Sequence, residues 1–220
     1  MLQPLSYADY IGLSVFYNTL KALFFKQDNL YFYYANGYKL NVNYNIIPQF
    51  GVGILYAQEK QTTAVKNTNY SIFKKEEQYI NNPPINDDFQ RLFGFNFRIN
   101  PNKFRAIDWG DGDISRFRET NFPELNLGII FSEKYMNSTY EYKKYSAILL
   151  GNHYINSILN FKYRFAFEYA HGELPYQSLL FFRSNTGTLD APLGFTAMKY
   201  QEFLGDQIFY LNFENNFGKL

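Results

Sequence analysis

The sequence predicts an all-β protein, specifically an antiparallel transmembrane β-barrel in which this chain forms about ten strands, an incomplete portion of a larger barrel. Three observations predict it. Aromatic residues make up 21% of the chain, with 24 Phe and 21 Tyr, and these types suit pleated, half-buried surfaces. Apolar and polar side chains alternate with a period of two in many segments. No run of about 18 apolar residues occurs, so a membrane role would use strands rather than a helix.

Charge and cysteine content narrow the function classes. The 21 Lys and Arg residues nearly balance the 20 Asp and Glu residues, so the chain lacks the basic surface that nucleic acid binding needs. It contains no cysteine, which excludes disulfides and thiolate metal sites. The start, MLQPLSYADY, lacks the basic and apolar stretches of a secretory signal. If the protein is exported, we therefore expect residues 1–220 to be one barrel region taken from a longer chain.

The first quarter of the chain predicts four strands. Ile11–Tyr17 fits a strand, although the adjoining NTLKALFF fits a short helix equally well. Asn36-Gly37 is a favoured pair for a tight turn, so NLYFYYA and the alternating segment Tyr38–Ile46 predict a hairpin. A fourth strand, Phe50–Glu59, follows Pro48.

The rest of the chain predicts six more strands. The clearest is the segment ending in Tyr169, where Leu159, Phe161, Tyr163, Phe165 and Phe167 alternate with polar residues. The six predicted segments are Phe89–Asn100, Glu124–Ser132, Glu141–Gly151, Leu159–Tyr169, Tyr176–Arg183 and Asp206–Phe217.

Strand length favours a bilayer over a protein core as the apolar surroundings. Leu159–Tyr169 is roughly 36 Å long at about 3.3 Å per residue, and a tilt of about 45° reduces this to a height of roughly 25 Å. That equals the apolar band of an outer-membrane barrel, about 25 Å. Strands of globular proteins are usually shorter. In a barrel, Lys162, Arg164 and Glu168 would face a wet lumen.

Two other classes of protein stay open as interpretations of the sequence. A soluble all-β binding module for a sugar or protein ligand would use its aromatic residues as a sandwich core. A barrel with lipid-hydrolysing activity would need a serine within hydrogen-bond reach of His153 or His171, the two histidines. We expect no enzyme activity, because no serine and acid are placed beside either histidine in the sequence.

The long connections conflict with this strand count. If each strand reverses direction, the segments Lys60–Asp88 and Asn185–Gly205 fall at opposite ends of the sheet, whereas outer-membrane barrels keep their long loops at one end. We therefore expect a missing strand, and Thr68–Glu76 is the candidate for it.

Two stretches near the end of the chain resemble a known family. These are HGELPYQSLLFFRSNTG and LGFTAMKYQEFLGDQIFYLNFENNFG, and NNPPI at 81–85 and NFPELNLGIIF at 121–131 are similar to it as well. The family consists of outer-membrane barrels of unknown function in which a carboxypeptidase-regulatory-like domain precedes the barrel. The matching residues are Gly172, Leu174, Pro175, Tyr176, Phe195, Met198, Glu202, Phe203 and Asp206.

The resemblance implies a location and a broad role. It implies the outer membrane of a Gram-negative bacterium, with the lipid bilayer and other envelope proteins as partners, no cofactor, and a part in transport, protein assembly or envelope integrity. It also implies a regulatory-like domain upstream and further strands downstream.

A more distant similarity is to surface-antigen barrels, the outer-membrane assembly factors. Their long loop folds into the lumen and carries an Arg-Gly-aromatic motif, whereas LGFTAMKYQEF has no Arg-Gly pair. Two interpretations of Glu202 and Asp206 stay open. They lie beside the lumen and pair with Lys162 or Arg164, or they cap a loop before a strand.

Two acidic groups are interpreted as polar loops rather than metal sites. His171 lies between Glu168 and Glu173 at a strand end, which is typical of a solvated tip. In IDWGDGDIS, the glycines take alternate positions among Asp108, Asp111 and Asp113, where a calcium loop of the EF-hand type needs acidic oxygens.

Overall fold

The computed structural model describes residues 2–4, 19–26, 28, 32–66, 69–79, 81–108, 114–118, 120–155, 159–182, 195, 198 and 202–217. These residues form one large antiparallel sheet and two small ones, so the all-β prediction is confirmed. Its strands, in spatial order, are β1 (Leu2–Pro4), β2 (Phe32–Ile47), β3 (Phe50–Thr63), β4 (Asp88–Ile99), β7 (Glu124–Ser132), β8 (Tyr142–Ile155), β9 (Leu159–Gly172) and β12 (Gln207–Phe217).

The remaining elements are short. Strands β5 (Phe104–Asp108) and β6 (Ile114–Arg118) form a hairpin, and β10 (Leu180–Phe181) pairs with β11 (Leu204–Gly205). Two single turns of 3-10 helix span Lys134–Met136 and Tyr176–Ser178, and residues 19–25 are helical. Over the described ranges, no helix combines the length and the apolar character needed to cross a membrane.

Apart from β1, the strands of the large sheet are long. They contain 9 to 16 residues, and each pairs antiparallel with its neighbour. Within the described residues the sheet is open rather than closed into a barrel. One edge is β2, which β1 covers only at Phe32–Tyr34, and the other edge is β12.

The predicted hairpin at Asn36-Gly37 is wrong. Strand β2 runs straight through this pair, and Asn36 and Gly37 lie opposite Lys60 and Glu59 of β3. The backbone approaches so closely at Gly37 that a Cβ there would collide with the carbonyl oxygen of Gln58. The glycine therefore permits close strand contact rather than a turn, because pairing with β3 along the whole strand outweighs the local turn preference.

The strand predicted at Tyr176–Arg183 is also wrong in its described part. Residues 176–178 form a turn of 3-10 helix, and only Leu180–Phe181 is extended, outside the large sheet. Residues 69–76 form no strand either. The segment Ile11–Tyr17 lies outside the described residues.

These corrections resolve the conflict between the long connections. With no sheet strand at 176–183, residues 64–87 and 173–206 connect strands at the same end of the sheet, together with 133–141. We call this the loop end. The opposite, turn end has the connections 48–49, 156–158 and 100–123, the last of which carries the β5–β6 hairpin.

Candidate functional site

The sheet has one apolar face that runs unbroken across seven strands. Residues that pair across strands project to the same side. One row, for example, joins Tyr44, Val52, Phe97, Leu127, Ala147, Phe167 and Phe209. The apolar face consists of Tyr38, Leu40, Val42 and Tyr44 of β2; Phe50, Val52, Ile54 and Tyr56 of β3; Phe93, Phe95, Phe97 and Ile99 of β4; Leu125, Leu127, Ile129 and Phe131 of β7; Tyr145, Ala147 and Leu149 of β8; Leu159, Phe161, Tyr163, Phe165, Phe167 and Tyr169 of β9; and Phe209, Leu211, Phe213 and Phe217 of β12.

Much of the apolar face is exposed. Tyr44 is 67% exposed, Phe167 50% and Phe209 68%. Neighbouring rings contact one another across strands, with centroids 4.8 Å apart for Tyr56 and Phe93, but no second layer covers them among the described residues. A sandwich core would bury these side chains, so the face is available to an apolar environment outside the chain.

The loop-end limit of the apolar band shifts in steps across the sheet. On β2 the band begins at Tyr38 near the loop end, and on β12 it begins at Phe209, which lies in the row of Tyr44. This loop-end shift of six residues is roughly 20 Å, and six strand spacings are about 29 Å, which corresponds to a strand tilt of about 35° relative to the normal of the band. At the turn end, Phe50, Ile99, Leu125 and Leu149 share one row, and the band on β9 and β12 continues six residues further, to Leu159 and Phe217.

The opposite, polar face carries small and charged residues. Lys162, Arg164 and Glu168 all lie on it. Lys162 Nζ pairs with Glu214 Oε1 at 3.2 Å, and the Arg164 guanidinium lies over the Tyr210 ring, 5.6 Å from its centroid. One of the two interpretations left open for Glu202 and Asp206 paired them with Lys162 or Arg164. The structure instead gives Lys162 and Arg164 the partners Glu214 and Tyr210, because β12 places these residues beside β9.

A covering segment, defined by residues 173–182, 195 and 202–206, lies against the polar face. Ala166 and Ala170 of β9 are small enough to let Leu180 pack against them, together with Ile208 and Tyr210. Leu174, Phe182 and Phe195 complete this cluster, and Phe182 lies 5.9 Å from both Phe195 and Tyr210 between ring centroids. The apolar side chains of the segment are therefore buried on the otherwise polar side of the sheet.

The residues of the GELPY motif start the covering segment. Gly172 has a φ of 114°, which a side chain rarely adopts, and a Cβ there would collide with the carbonyl oxygen of Glu141. Glu173 N then donates to the same oxygen at 2.8 Å. Pro175 is fully buried, and Leu174 packs in the cluster. Glycine thus allows the chain to leave β9 and turn onto the polar face.

The other motif residues have less uniform positions. Phe195 packs on the sheet and Met198 is half-buried, whereas Glu202, Phe203 and Asp206 are exposed. The Phe203 ring lies 6.4 Å from that of Phe182, and the Asp206 carbonyl oxygen accepts from Ala170 N at 2.7 Å.

A buried hydrogen-bond network fixes the covering segment to the sheet. Gln177 Nε2 donates to Gln61 Oε1 at 3.0 Å, and Gln61 Nε2 donates to Gln90 Oε1 at 3.2 Å. Gln90 Nε2 donates to the Tyr142 hydroxyl at 2.7 Å, and the hydroxyls of Tyr142 and Ser178 lie 3.0 Å apart. Strands β3, β4 and β8 thus share one network with the 3-10 turn, and removing one member would leave buried polar atoms unpaired.

The sheet curves around the covering segment. Tyr176 packs against a cluster of Tyr33, Ala35 and Ile85 near β2, whereas Leu180 packs against β9 and β12. Strands β2 and β12 are six spacings apart, about 29 Å along a flat sheet, but the two residues are only four apart in the chain. The polar face is therefore concave.

Sequence reasoning missed the members of this network. Gln61 and Gln90 occupy the polar positions of alternating strands close to the loop end, which is the signal the sequence contained. Their partners Tyr142, Gln177 and Ser178 come from distant segments, so only the fold brings them together.

A second anchor holds residues 69–79 against the short helix at the loop end. Lys26 Nζ donates to the carbonyl oxygens of Lys75 and Glu77, and Ser71 Oγ donates to the carbonyl oxygen of Phe24. The Tyr79 hydroxyl lies 2.6 Å from the carbonyl oxygen of Ala22, and burial, with a smaller effect of Asp28, raises the pKa of Tyr79.

The two histidines lie on the apolar side of the sheet. His153 Nε2 is 3.3 Å from the Tyr163 hydroxyl, and His171 stacks on Tyr169 with centroids 6.4 Å apart. Neither contacts a serine within the described ranges. Asp108 ends β5, whereas Asp111 and Asp113 lie outside the described residues.

No family model, curated protein or solved structure matches this chain. The class of protein that the structure defines is therefore an all-β chain with a long-stranded antiparallel sheet, one exposed apolar face and one partly covered, concave polar face.

Proposed function

We propose that the chain is part of an outer-membrane β-barrel of the carboxypeptidase-regulatory-like family, with a non-enzymatic role in transport, protein assembly or envelope integrity. The single observation that carries the proposal is the exposed apolar face, which continues across seven strands opposite a partly covered polar face. Proteins in water bury their large apolar side chains and rarely expose large apolar patches, and this arrangement is the reverse.

The geometry of the apolar band supports a bilayer as its partner. A tilt of about 35° agrees with the 35–45° of outer-membrane strands. At this tilt the band rises from about 16 Å on β4 to about 27 Å on β9, against about 25 Å for an outer-membrane barrel. Continuous pairing of the long strands also satisfies the backbone groups that lipid cannot.

The connections agree with the same proposal. Three of the longer connections leave the loop end, and two of the three at the turn end are only two or three residues long. Outer-membrane barrels have this asymmetry, with short turns on the periplasmic side. The exception is residues 100–123, which extend the turn end with the β5–β6 hairpin.

A soluble all-β binding module is the second candidate, and the open sheet favours it. Edges at β2 and β12 would be covered in a closed barrel, and none of the described residues closes them. In such a module, the apolar face would pack on another protein layer and the concave polar face would bind the ligand.

Membrane partitioning separates the two candidates. We expect the full chain, refolded with phospholipid vesicles, to resist extraction by alkaline carbonate and to enter the detergent phase in Triton X-114. It should also shift in gel mobility when heated, because a barrel kept folded in dodecyl sulfate migrates differently from the unfolded chain. A folded, freely soluble monomer without detergent would overturn the proposal in favour of the binding module.

A further inference from the structure

The concave polar face contains a cavity of about 260 Å³. Its polar side chains come from β2, β4, β8 and β9, and Leu180 of the covering segment borders it. Gly94 and Gly128 lie in its wall, and a Cβ on Gly128 would crowd Ser146 Oγ. The polar side chains that border it include Asn41, Asn43, Asn96, Lys144, Ser146 and Glu168.

Two opposite charges border this cavity without pairing. Lys144 is opposite Ala170 and Glu168 is opposite Ser146, so Lys144 and Glu168 are diagonal neighbours on adjacent strands. In the part of the chain that the structure describes, neither makes a hydrogen bond or an ion pair, and Lys144 only lies over the Tyr142 ring, 5.5 Å from its centroid.

Two other pairs of opposite charge on the same face are in direct contact. Arg98 donates to both oxygens of Glu124 at 3.0 and 2.9 Å, and Lys162 pairs with Glu214. Lys144 and Glu168 attract each other, and Arg164 also attracts Glu168, but neither Lys144 nor Glu168 has a hydrogen-bonded charge partner to replace its lost hydration. A ligand that places an anionic group at Lys144 and a cationic group at Glu168 would supply those partners.

We propose that this cavity binds a small zwitterion with the chemistry of a free amino acid. Its carboxylate would accept from Lys144 Nζ, its ammonium group would donate to the Glu168 carboxylate, and the amides of Asn41, Asn43 and Asn96 would bind polar groups of its side chain. The volume of about 260 Å³ leaves room for several waters and suits a molecule of amino-acid size.

Charge logic excludes the simpler ligand classes. An anion would complete Lys144 but meet the Glu168 carboxylate, and a cation would have the converse problem. A neutral polyol would remove water from both charges without replacing it by an opposite charge. This inference rests on the proposed function, because it requires the polar face to line a water-filled interior. It adds the class of solute that this interior would bind.

Calorimetric titration of the folded full chain in detergent micelles tests this. The probes are L-glutamine as zwitterion, succinate as anion, putrescine as cation and sorbitol as neutral polyol. We expect saturable binding of L-glutamine and at least tenfold weaker binding of the other three.

Substitutions of the two charged residues test the same site. Lys144→Met and Glu168→Gln should each weaken L-glutamine binding at least tenfold. The double exchange Lys144→Glu with Glu168→Lys should restore part of the lost affinity.

Lys143→Met is the matched control. Lys143 is adjacent in sequence, projects to the opposite side and pairs with Glu133, so its removal should leave the affinity unchanged. No L-glutamine binding by the folded wild-type chain, equal binding of sorbitol, or unchanged affinity in both single variants would overturn the inference. Heat-dependent gel mobility is scored separately, so a chain that inserts into membranes but fails to bind L-glutamine overturns the zwitterion site alone.

Discussion

The two faces of the large sheet use the same strands but have opposite surroundings. On the polar face, Ala166 is 1% exposed, and Gln61, Gln90 and Tyr142 are also buried beneath the covering segment. On the apolar face, Phe rings such as Phe167 remain open. Alternation in the sequence indicates that two faces differ, and burial shows which of them the chain itself covers. Here the chain covers part of its polar face, beneath the covering segment.

The largest expected effect comes from placing a charge on the apolar face. Leu127→Lys should lower the free energy of unfolding in lipid vesicles by about 2–4 kcal/mol, because a lysine near the bilayer midplane loses its hydration. Denaturant titration followed by tryptophan fluorescence or circular dichroism measures it.

Asn126→Lys is the matched control, one residue earlier on the same strand and on the polar face. It should cost less than about 1 kcal/mol, because the new ammonium group is near Glu124 and water. Equal effects of the two changes would mean that the faces do not differ in surroundings.

Breaking the buried network should have the next largest effect. Gln90→Leu keeps the volume but removes the acceptor for Gln61 and the donor to Tyr142, so we expect a loss of about 1–3 kcal/mol. The covering segment should also become more sensitive to limited proteolysis. Asn45→Leu, at an exposed position of the same face, should change stability by less than about 0.5 kcal/mol. Protection from protease that stays unchanged in Gln90→Leu would contradict the anchoring role.

Filling the space under the covering segment should lower the free energy of unfolding somewhat less than breaking the buried network. Ala166→Leu adds volume against Leu180 and Tyr210, and we expect a loss of about 1–2 kcal/mol from overpacking. The same substitution at Ala147, which lies on the apolar face, should be nearly neutral in lipid. Unfolding titrations of the two variants measure the difference, and a larger loss for Ala147→Leu would reverse the assignment of the covered face.

The smallest expected effect concerns the paired charges of the polar face. Arg98→Gln removes a two-bond contact to Glu124 that is partly exposed, so we expect a loss below about 1 kcal/mol that shrinks in high salt. Lys134→Gln breaks the more exposed pair with Glu173 and should have no measurable effect. Unfolding titrations at two salt concentrations compare them, and a salt-independent loss for Arg98→Gln would show that the contact is not electrostatic.

Sequence periodicity was sufficient to predict most of the long strands. It failed where tertiary contacts determine the local conformation. Strands β3, β4, β7, β8, β9 and β12 could be predicted because each has an alternating pattern that the pairing preserves. Asn36-Gly37 has the composition of a turn, but uninterrupted pairing with β3 keeps it extended. Residues 176–183 are apolar enough for a strand, but the described part, 176–182, lies across the concave face instead of joining its edge.

The candidate site could be predicted only in part. The side of the sheet on which Lys162, Arg164 and Glu168 lie follows from parity alone. The partners Glu214 and Tyr210, the glutamine network and the cavity beside Lys144 depend on which strands become neighbours. Pairing between segments more than a hundred residues apart, such as Gln61 and Gln177, leaves no local pattern.

The most direct test of the central claim is fluorescence quenching by brominated phospholipids. Single tryptophans are introduced as Phe95→Trp on the apolar face and Asn96→Trp on the polar face, both in a Trp109→Phe background. In vesicles, the tryptophan at position 95 should be strongly quenched by lipid bromines and weakly by aqueous acrylamide, and the tryptophan at position 96 should show the opposite. Tryptophans at both positions that acrylamide quenches equally, with no effect of the brominated lipid, would contradict a lipid-facing apolar surface.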